Sequence, residues 1–589
     1  MRRLSPEPRV FAAIAAACLC LAAGAEAPAP EPATGRTEKP LLSFERMAVA
    51  AANPIAADVG YAILKVGGNA VDAAVAVQLV LGLVEPQSSG LGGGAFALVY
   101  RAEDARLTSY DGRETAPAAA RPDRFLGADG QPMPHREAVL SGRSIGVPGL
   151  VPMLEAMHRA HGRLPWASLF APAIELAEGG FAVGPRLHAM LKGERWLKSD
   201  PEARALFYDR EGEPWPVGHR LKNPAYAATL RALAKDGAKA LTSGPIAEAI
   251  VAAARRGATE AERGDLTLAD LAAYRAVERP PVCGSYRGLR VCGMGPPSSG
   301  GIAVAQMLAY LEPLPISSYA PVSVEVAHAL AEAGRLAFAD RNRYLADPAF
   351  SPVPTGLLDR LYLAERAKRI DPAKSMRRAE PGTPPGLTAE RKNALADDAR
   401  QKLTGTTHLS IVDRDGNAVA MTASIEDAFG ARRMAAGFLL NNQLTDFSFT
   451  PTEGATSAAL VANRVEAGKR PRSSMAPTMV FDRDGRLAIV TGSPGGSAII
   501  GYVVKNLVAM IDWGLDAQAA AELPHFGSRN GPTELERGTA ASALRTALEA
   551  RGHRVIEIEF TSGVQTLRRT ANGWQGGADP RREGAVRGE

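Results

Sequence analysis

Apolar and polar positions along this chain change their rhythm several times, and each change predicts a different kind of element. Val10–Ala25 is apolar or small throughout, a 16-residue run with no amphipathic period. From Ala48 to Leu98 the residues are small and apolar. Ala70–Leu83 within that stretch is apolar nearly all round, the pattern of a buried helix. A glycine-rich loop, Gly90–Gly94, follows, and Phe96–Tyr100 then reads as a strand. Residues 145–275 read mostly helical; Thr267 with Asp270 three residues on is a capping-box signal for one short helix. Val322–Tyr344 is a further long helix. Pro372–Lys402 is charged, broken by prolines and poorly periodic, which predicts an exposed connector; so long a connector in a compact protein points to function or processing.

The period then shifts to two. Thr406, His408, Ser410 and Val412 fall on one face of a strand, Asp415-Gly416-Asn417 is a turn signal, and Ala418–Ser424 is a second strand. Thr406 and Ser424 are equidistant from Asp415, so a hairpin closing at that turn sets them opposite each other. Strand-like runs recur at Gly437–Leu440, Thr478–Phe481 and Leu487–Thr491, and helices at Ile499–Ile511 and Ala517–Leu523. No internal repeat is present.

Composition bounds the rest. The 589 residues are 46% hydrophobic and 22% charged, which excludes disorder, collagen and coiled coil for the bulk of the chain. A net charge of +5 over this length, with no dense basic run, argues against a nucleic-acid partner. Arg2, Arg3 and Arg9 precede the first apolar run, and Ala23-Gly24-Ala25 and Ala25-Glu26-Ala27 both fit a small-x-small cleavage site. Residues 1–27 therefore read as a secretory signal peptide and 28–44 as a linker. Cys18 follows three alanines and lacks the leucine of a lipoprotein box, which argues against lipidation. No later segment is long and apolar enough to span a bilayer, so the mature protein is expected to be soluble, and periplasmic or secreted. Cys283 and Cys292 flank a hairpin-like octapeptide; a cross-strand disulfide and two buried thiols are equally open. Two cysteines and scattered histidines, His158 and His161 among them, form no metal motif.

Two glycine loops invite chemistry. Gly90–Gly94 follows a helix and leads into a strand, the wrong order for dinucleotide binding. Thr491-Gly492-Ser493-Pro494-Gly495-Gly496-Ser497 has no lysine for a phosphate loop, but it runs from a strand into a helix. Its backbone N–H groups suit an oxyanion, with a tight structural turn as the alternative. Thr406 decides between them. If the chain is cut before it, one residue carries both a hydroxyl and a free α-amine. With an ordinary pKa of roughly 7.7–8.0, that amine can act as base for its own hydroxyl.

At this point the sequence resembles a known family, gamma-glutamyltranspeptidase (glutathione hydrolase), of the N-terminal-nucleophile hydrolase superfamily. The resemblance runs in order through Gly67–Ala74, Gly90–Gly94, Asp111–Pro117, Asp270–Tyr274, Pro296–Gly301 and Thr406-Thr407-His408. It continues through Leu440–Gln443, Asp446-Phe447, Lys469–Met475, Gly492–Gly496 and Asp579-Pro580-Arg581. It implies an α+β fold, a four-layer αββα sandwich made as one precursor. Autocleavage between Gly405 and Thr406 would give a large subunit (45–405) and a small, catalytic one (406–589) that stay associated as a heterodimer.

The resemblance also implies roles. Thr406 is the nucleophile, and attacks the γ-amide carbonyl of glutathione or another γ-glutamyl compound. The γ-glutamyl-enzyme then passes to water or to an amino acid or dipeptide. Ser424 hydrogen-bonds the Thr406 amine, and Gly495 and Gly496 supply the oxyanion hole. Arg113, Ser473 and Ser474 hold the substrate α-carboxylate; Gln443, Asp446 and Glu426 hold its α-ammonium. No cofactor or metal is implied. Glu426 stands where many members have Asn, and the lid region Ser448–Gly468 has no Tyr or Trp. A related acylase acting on a glutaryl-type amide, and an uncleaved binding relative, are the alternatives.

Overall fold

The computed structural model describes residues 31, 34–398, 405–453 and 458–589. The signal peptide and Cys18 lie outside the described residues, as do the end of the connector before Gly405 and residues 454–457 of the expected lid.

Two seven-stranded sheets stack face to face. The first contains, in spatial order, Ala585–Gly588, Ala48–Ala51, Gly405–Val412, Ala418–Glu426, Gly94–Arg101, Arg106–Gly112 and Val277–Arg279. The second runs Leu42–Phe44, Gly573–Ala578, Gln565–Thr570, Leu487–Gly492, Thr478–Phe481, Leu289–Gly293 and Val282–Tyr286. Side chains alternate across each strand. On the first sheet Ala48, Ala50, Leu98 and Ala420 pack between the sheets with Met479, Val490 and Leu567 of the second. Val49, Ala51, Ala97, Leu409 and Met421 turn the other way, onto helices Pro54–Lys65, Ala70–Val84 and Leu150–His161. Helices Gly300–Leu311, Val324–Tyr344 and Ile499–Ile511 cover the outer face of the second sheet. The result is the expected αββα sandwich.

Both faces of the central strands are buried, and Gly94–Arg101 and Ala418–Glu426 accordingly read as nearly continuous runs of apolar and small residues. Helix Ala70–Val84 is buried at every position, and Asn69 and Asp72 close its first turn as a capping box. The Thr267–Asp270 capping box forms as its spacing predicts. Cys283 and Cys292 face each other across paired strands and are joined as a disulfide. Among the described residues no helix is long and apolar enough to cross a membrane.

Two readings give way. Residues 34–44 are no free linker: Thr37 N–H donates to the Pro580 carbonyl at 2.8 Å, and Leu42–Phe44 pairs with Trp574–Gly576 as an edge strand. The connector is not simply exposed either. Ser375 Oγ donates to Glu332 at 2.9 Å and Gly382 N–H to Asp340 at 2.8 Å, both buried contacts to helix Val324–Tyr344.

Candidate active site

The hairpin places the nucleophile candidate. From Val412↔Ala418 back to Thr407↔Ala423 the register is regular; a bulge between Gly405 and Thr407 then pairs Gly405 with Glu426. Thr406 and Ser424 therefore come opposite each other just before the bulge, which turns the start of the strand. Thr406 and Ser424 are both buried, and Thr406 Oγ donates to Ser424 Oγ at 3.4 Å. Ser424 Oγ donates to the Gly405 carbonyl at 2.5 Å and accepts the Glu426 N–H at 2.8 Å. In this continuous chain Ser424 thus holds the carbonyl just before Thr406, whereas the expected partner was the free amine of Thr406.

The surroundings leave little slack. A Cβ on Gly405 would lie 2.9 Å from the Gln87 carbonyl and 3.0 Å from Glu31 Oε1. A Cβ on Gly93 would meet the Ser424 carbonyl at 2.2 Å, so the first glycine loop is there for close backbone approach to the hairpin. Beneath the site His408 lies between the sheets, its ring contacting Thr422 Oγ at 2.8 Å and Ser410 Oγ at 3.1 Å. Burial holds its pKa down at about 3, so it stays neutral.

One cavity gathers Thr406, Ser424, Arg113, Gln443, Asp446, Ser473, Ser474 and Gly496. Arg113 is fully buried; its guanidinium donates to Asp446 at 2.5 Å and to the Pro471 and Arg472 carbonyls at 3.1 Å each. Gln443 Nε2 donates to the same Asp446 oxygen at 2.9 Å. Gly496 enters from the loop ahead of helix Ile499–Ile511, with Gly495 at φ 131° and Gly496 at φ 58°, left-handed angles that favour glycine. Two expected residues do not reach the cavity wall. Gly495 lies one residue behind it, and Glu426, at φ 80°, is buried with a carboxylate oxygen accepting from Asn442 Nδ2 at 3.0 Å.

Arg341 and Arg472 also line the cavity, and the sequence reading gave them no role. Arg341 donates to Ser474 Oγ at 2.6 Å and Ser299 Oγ at 2.9 Å, which orients the serine. Burial, with Arg472 nearby, pulls the Arg341 pKa well down. Arg472 pairs with Asp398 at 2.9 Å. Of the three guanidiniums lining the cavity, Arg113 is paired with Asp446 and Arg472 with Asp398, so an anion entering here competes with a carboxylate for its cation. Behind Arg113 the Glu114 carboxyl is fully buried with no hydrogen bond among the described residues, and burial pushes its pKa up to about 8. That carboxyl lies 3.8 Å from the Arg113 guanidinium, and its raised pKa weakens its hold on the Arg113 charge.

A threonine opening a central strand of an αββα sandwich, its hydroxyl linked through one serine to the preceding carbonyl, defines the N-terminal-nucleophile class of amide-cleaving enzymes. Within that class the family is settled by comparison. A sequence model of gamma-glutamyltranspeptidase matches residues 56–589. The glutathione hydrolase proenzyme of Escherichia coli K12 is 39% identical over 547 residues, 90% of each chain. The crystal structure of a cephalosporin acylase from Bacillus halodurans superposes with a TM-score of 0.80 at 27% identity, covering 94% of this chain and 98% of that one. That of Helicobacter pylori gamma-glutamyltranspeptidase gives 0.54 at 33% identity, over 60% of this chain and 99% of that one. The chain belongs to the gamma-glutamyltranspeptidase family, and it is an enzyme.

Proposed function

We propose that this protein is an exported γ-glutamyl hydrolase and transferase that matures by cutting itself between Gly405 and Thr406. The observation that carries the reading is the Arg113–Asp446 pair in the same cavity as the Thr406 hydroxyl. In the uncut chain Arg113 and Asp446 hold each other in that cavity. A glutamyl end must therefore insert between Arg113 and Asp446. A zwitterion suits that insertion: its α-carboxylate replaces Asp446 on the Arg113 fork, and its α-ammonium replaces Arg113 on Asp446 and the Gln443 side-chain oxygen. Each charge lost from the pair is returned by the ligand. Ser473 and the Arg341-oriented Ser474 add hydroxyl donors to the carboxylate.

Maturation follows from the same contacts. Thr406 Oγ attacks the Gly405 carbonyl carbon and passes its proton to Ser424 Oγ, while Ser424 gives its own proton to the carbonyl oxygen. Collapse of that intermediate breaks the C–N bond, the nitrogen takes the proton, and an ester remains on Thr406. Water then hydrolyses that ester, releasing Gly405 as a carboxylic acid and restoring the Thr406 hydroxyl beside the amine that C–N cleavage freed. In the mature enzyme that amine takes the proton from Thr406 Oγ as it attacks the γ-amide, with Gly495 and Gly496 N–H groups on the oxyanion. The amine product leaves, and water or an amino-acid acceptor takes the acyl group. A signal peptide ending at residue 25 or 27 would send the chain to the periplasm or beyond.

A second reading, an acylase for a glutaryl-type side chain, has the cephalosporin acylase likeness in its favour. Such a group has no α-ammonium and leaves Asp446 and Gln443 without a ligand to hold. The test is intact mass of wild type beside Thr406→Ala, followed by kinetics on γ-glutamyl and glutaryl anilides. Two fragments, the smaller starting at Thr406, with preference for the γ-glutamyl anilide, support the proposal. An uncut folded wild-type chain, or preference for the glutaryl anilide, overturns it.

A further inference from the structure

Resting on that reading, we infer that Glu31, in the segment ahead of the first strand, is a positioning residue for the nucleophile. Glu31 is 2% exposed, although it lies in a stretch rich in proline and small residues. One of its carboxylate oxygens takes both a buried Arg186 guanidinium and Arg582 Nη2, the latter at 2.8 Å. Its other oxygen accepts from Ser88 Oγ at 3.4 Å and lies where a Cβ of residue 405 would contact it at 3.0 Å. Arg582 in turn donates through Nη1 to the carbonyl of Thr406 itself, at 3.1 Å. Glu31 therefore reaches the Gly405–Thr406 linkage from two sides, by packing on Gly405 and through Arg582 on Thr406.

The charges explain why one carboxylate matters here. Arg186 and Arg582 are both nearly solvent-free and converge on the same oxygen. Without it, the two guanidiniums would be left in a dry interior with the buried Glu85 carboxyl, whose pKa burial pushes up to about 7, as a weaker counter-charge. Arg582 would then be drawn toward other acceptors and away from Thr406. Its remaining anchor, two donations to the Thr561 carbonyl, does not fix the guanidinium edge that faces Thr406. The surrounding segment is built to hold Glu31 in place: Thr34 Oγ accepts from Arg186 at 3.3 Å, and Arg36 pairs with Glu536 at 3.1 Å. The signal-peptide cut expected after residue 25 or 27 leaves Glu31 on the exported chain.

The experiment follows conversion of purified full-length precursor to two fragments by intact mass, for wild type, Glu31→Ala, Glu31→Asp and Glu31→Ala/Arg186→Gln. The same masses report where the N-terminus lies. The double variant keeps the net charge of the cluster while removing the acceptor for Arg582, so it tests the inference if Glu31→Ala alone does not fold. Each matured sample is then assayed on a γ-glutamyl anilide. Maturation at least fivefold slower in Glu31→Ala, partly restored in Glu31→Asp, with kcat lowered and KM unchanged, supports the inference. A group that merely stabilised the fold would lower the yield of active enzyme and leave the maturation rate of the folded fraction as it was. Maturation at the wild-type rate in folded Glu31→Ala, or in the double variant, overturns the inference and leaves the proposed function standing. A wild-type precursor that never cuts overturns both; an exported N-terminus beyond residue 31 overturns this inference alone.

Discussion

Replacing Ser424 by alanine tests the maturation chemistry most directly. In the uncut chain Ser424 makes a 2.5 Å hydrogen bond to the Gly405 carbonyl oxygen, the atom that becomes negative when Thr406 attacks. It also lies 3.4 Å from the Thr406 hydroxyl, so it is positioned to relay the proton. Removing one preorganised oxyanion donor costs on the order of 3–4 kcal/mol in the transition state, or about 10²–10³ in rate. Loss of the relay adds to that figure. Ser424→Ala should therefore convert to fragments at least a hundredfold more slowly than wild type. Ser424→Thr, which keeps the hydroxyl, should mature within about tenfold of it. The alanine variant also leaves the Glu426 N–H without its acceptor, at roughly 1–3 kcal/mol of stability. A melting curve on each precursor separates that loss from the chemical one. The assay is a time course of the 184-residue fragment by intact mass, at fixed precursor concentration. A folded Ser424→Ala precursor that matures as fast as wild type would refute the reasoning, because the carbonyl would then be activated by something else.

Three further outcomes are expected. Arg113→Lys loses the fork that reaches Asp446 and two backbone carbonyls at once, so KM for a γ-glutamyl anilide should rise by about tenfold or more while Asp446 keeps a cation; an unchanged KM would remove Arg113 from the carboxylate site. His408 is held neutral, with its pKa depressed to about 3, so its contribution to stability is complete above the unfolded value near 6.5 and falls by about 1.4 kcal/mol per pH unit below it. Acid unfolding of His408→Gln should accordingly have a lower midpoint than wild type, and an equal midpoint would show that other groups govern acid stability. Reducing the Cys283–Cys292 disulfide, which closes a short loop in an edge hairpin and lies outside the cavity lining, should lower the melting temperature by a few degrees and leave kcat/KM unchanged; a changed kcat/KM would tie that edge to catalysis.

Much of this architecture was legible in the sequence where local pattern and tertiary demand agree. Strand Thr478–Phe481 and helix Ile499–Ile511 fall where their periods place them, and helix Ala70–Val84 is buried because it is apolar on every side. The equidistance of Thr406 and Ser424 from the turn was enough to bring their hydroxyls together. What was not legible depends on partners far away in the chain. Leu42–Phe44 is a three-residue edge strand defined by its pairing with Trp574–Gly576. Ser375 and Gly382 are ordered by carboxylates on helix Val324–Tyr344, which no local period in the connector reveals. Arg341 and Arg472 look like solvent-facing cations until the cavity is assembled around them. Glu426 lay in the right motif, yet its left-handed backbone and its bond from Asn442 keep it off the cavity wall.

The order of strands in the first sheet has a consequence for the life of the protein. Strands from before and after residue 405 alternate there: Ala585–Gly588, then Ala48–Ala51, then the nucleophile hairpin, then Gly94–Arg101. Once the chain is cut, neither piece owns a sheet, and neither has a complete core to collapse around alone. The two polypeptides are braided, and parting them means unzipping backbone ladders on both sides of the hairpin. Cutting is then a ratchet: it happens only in a chain that has already folded, and it leaves a product with no easy route back after denaturation. A destabilising substitution anywhere in either sheet would first show itself as chain that is never cut, so maturation doubles as an inspection of the fold.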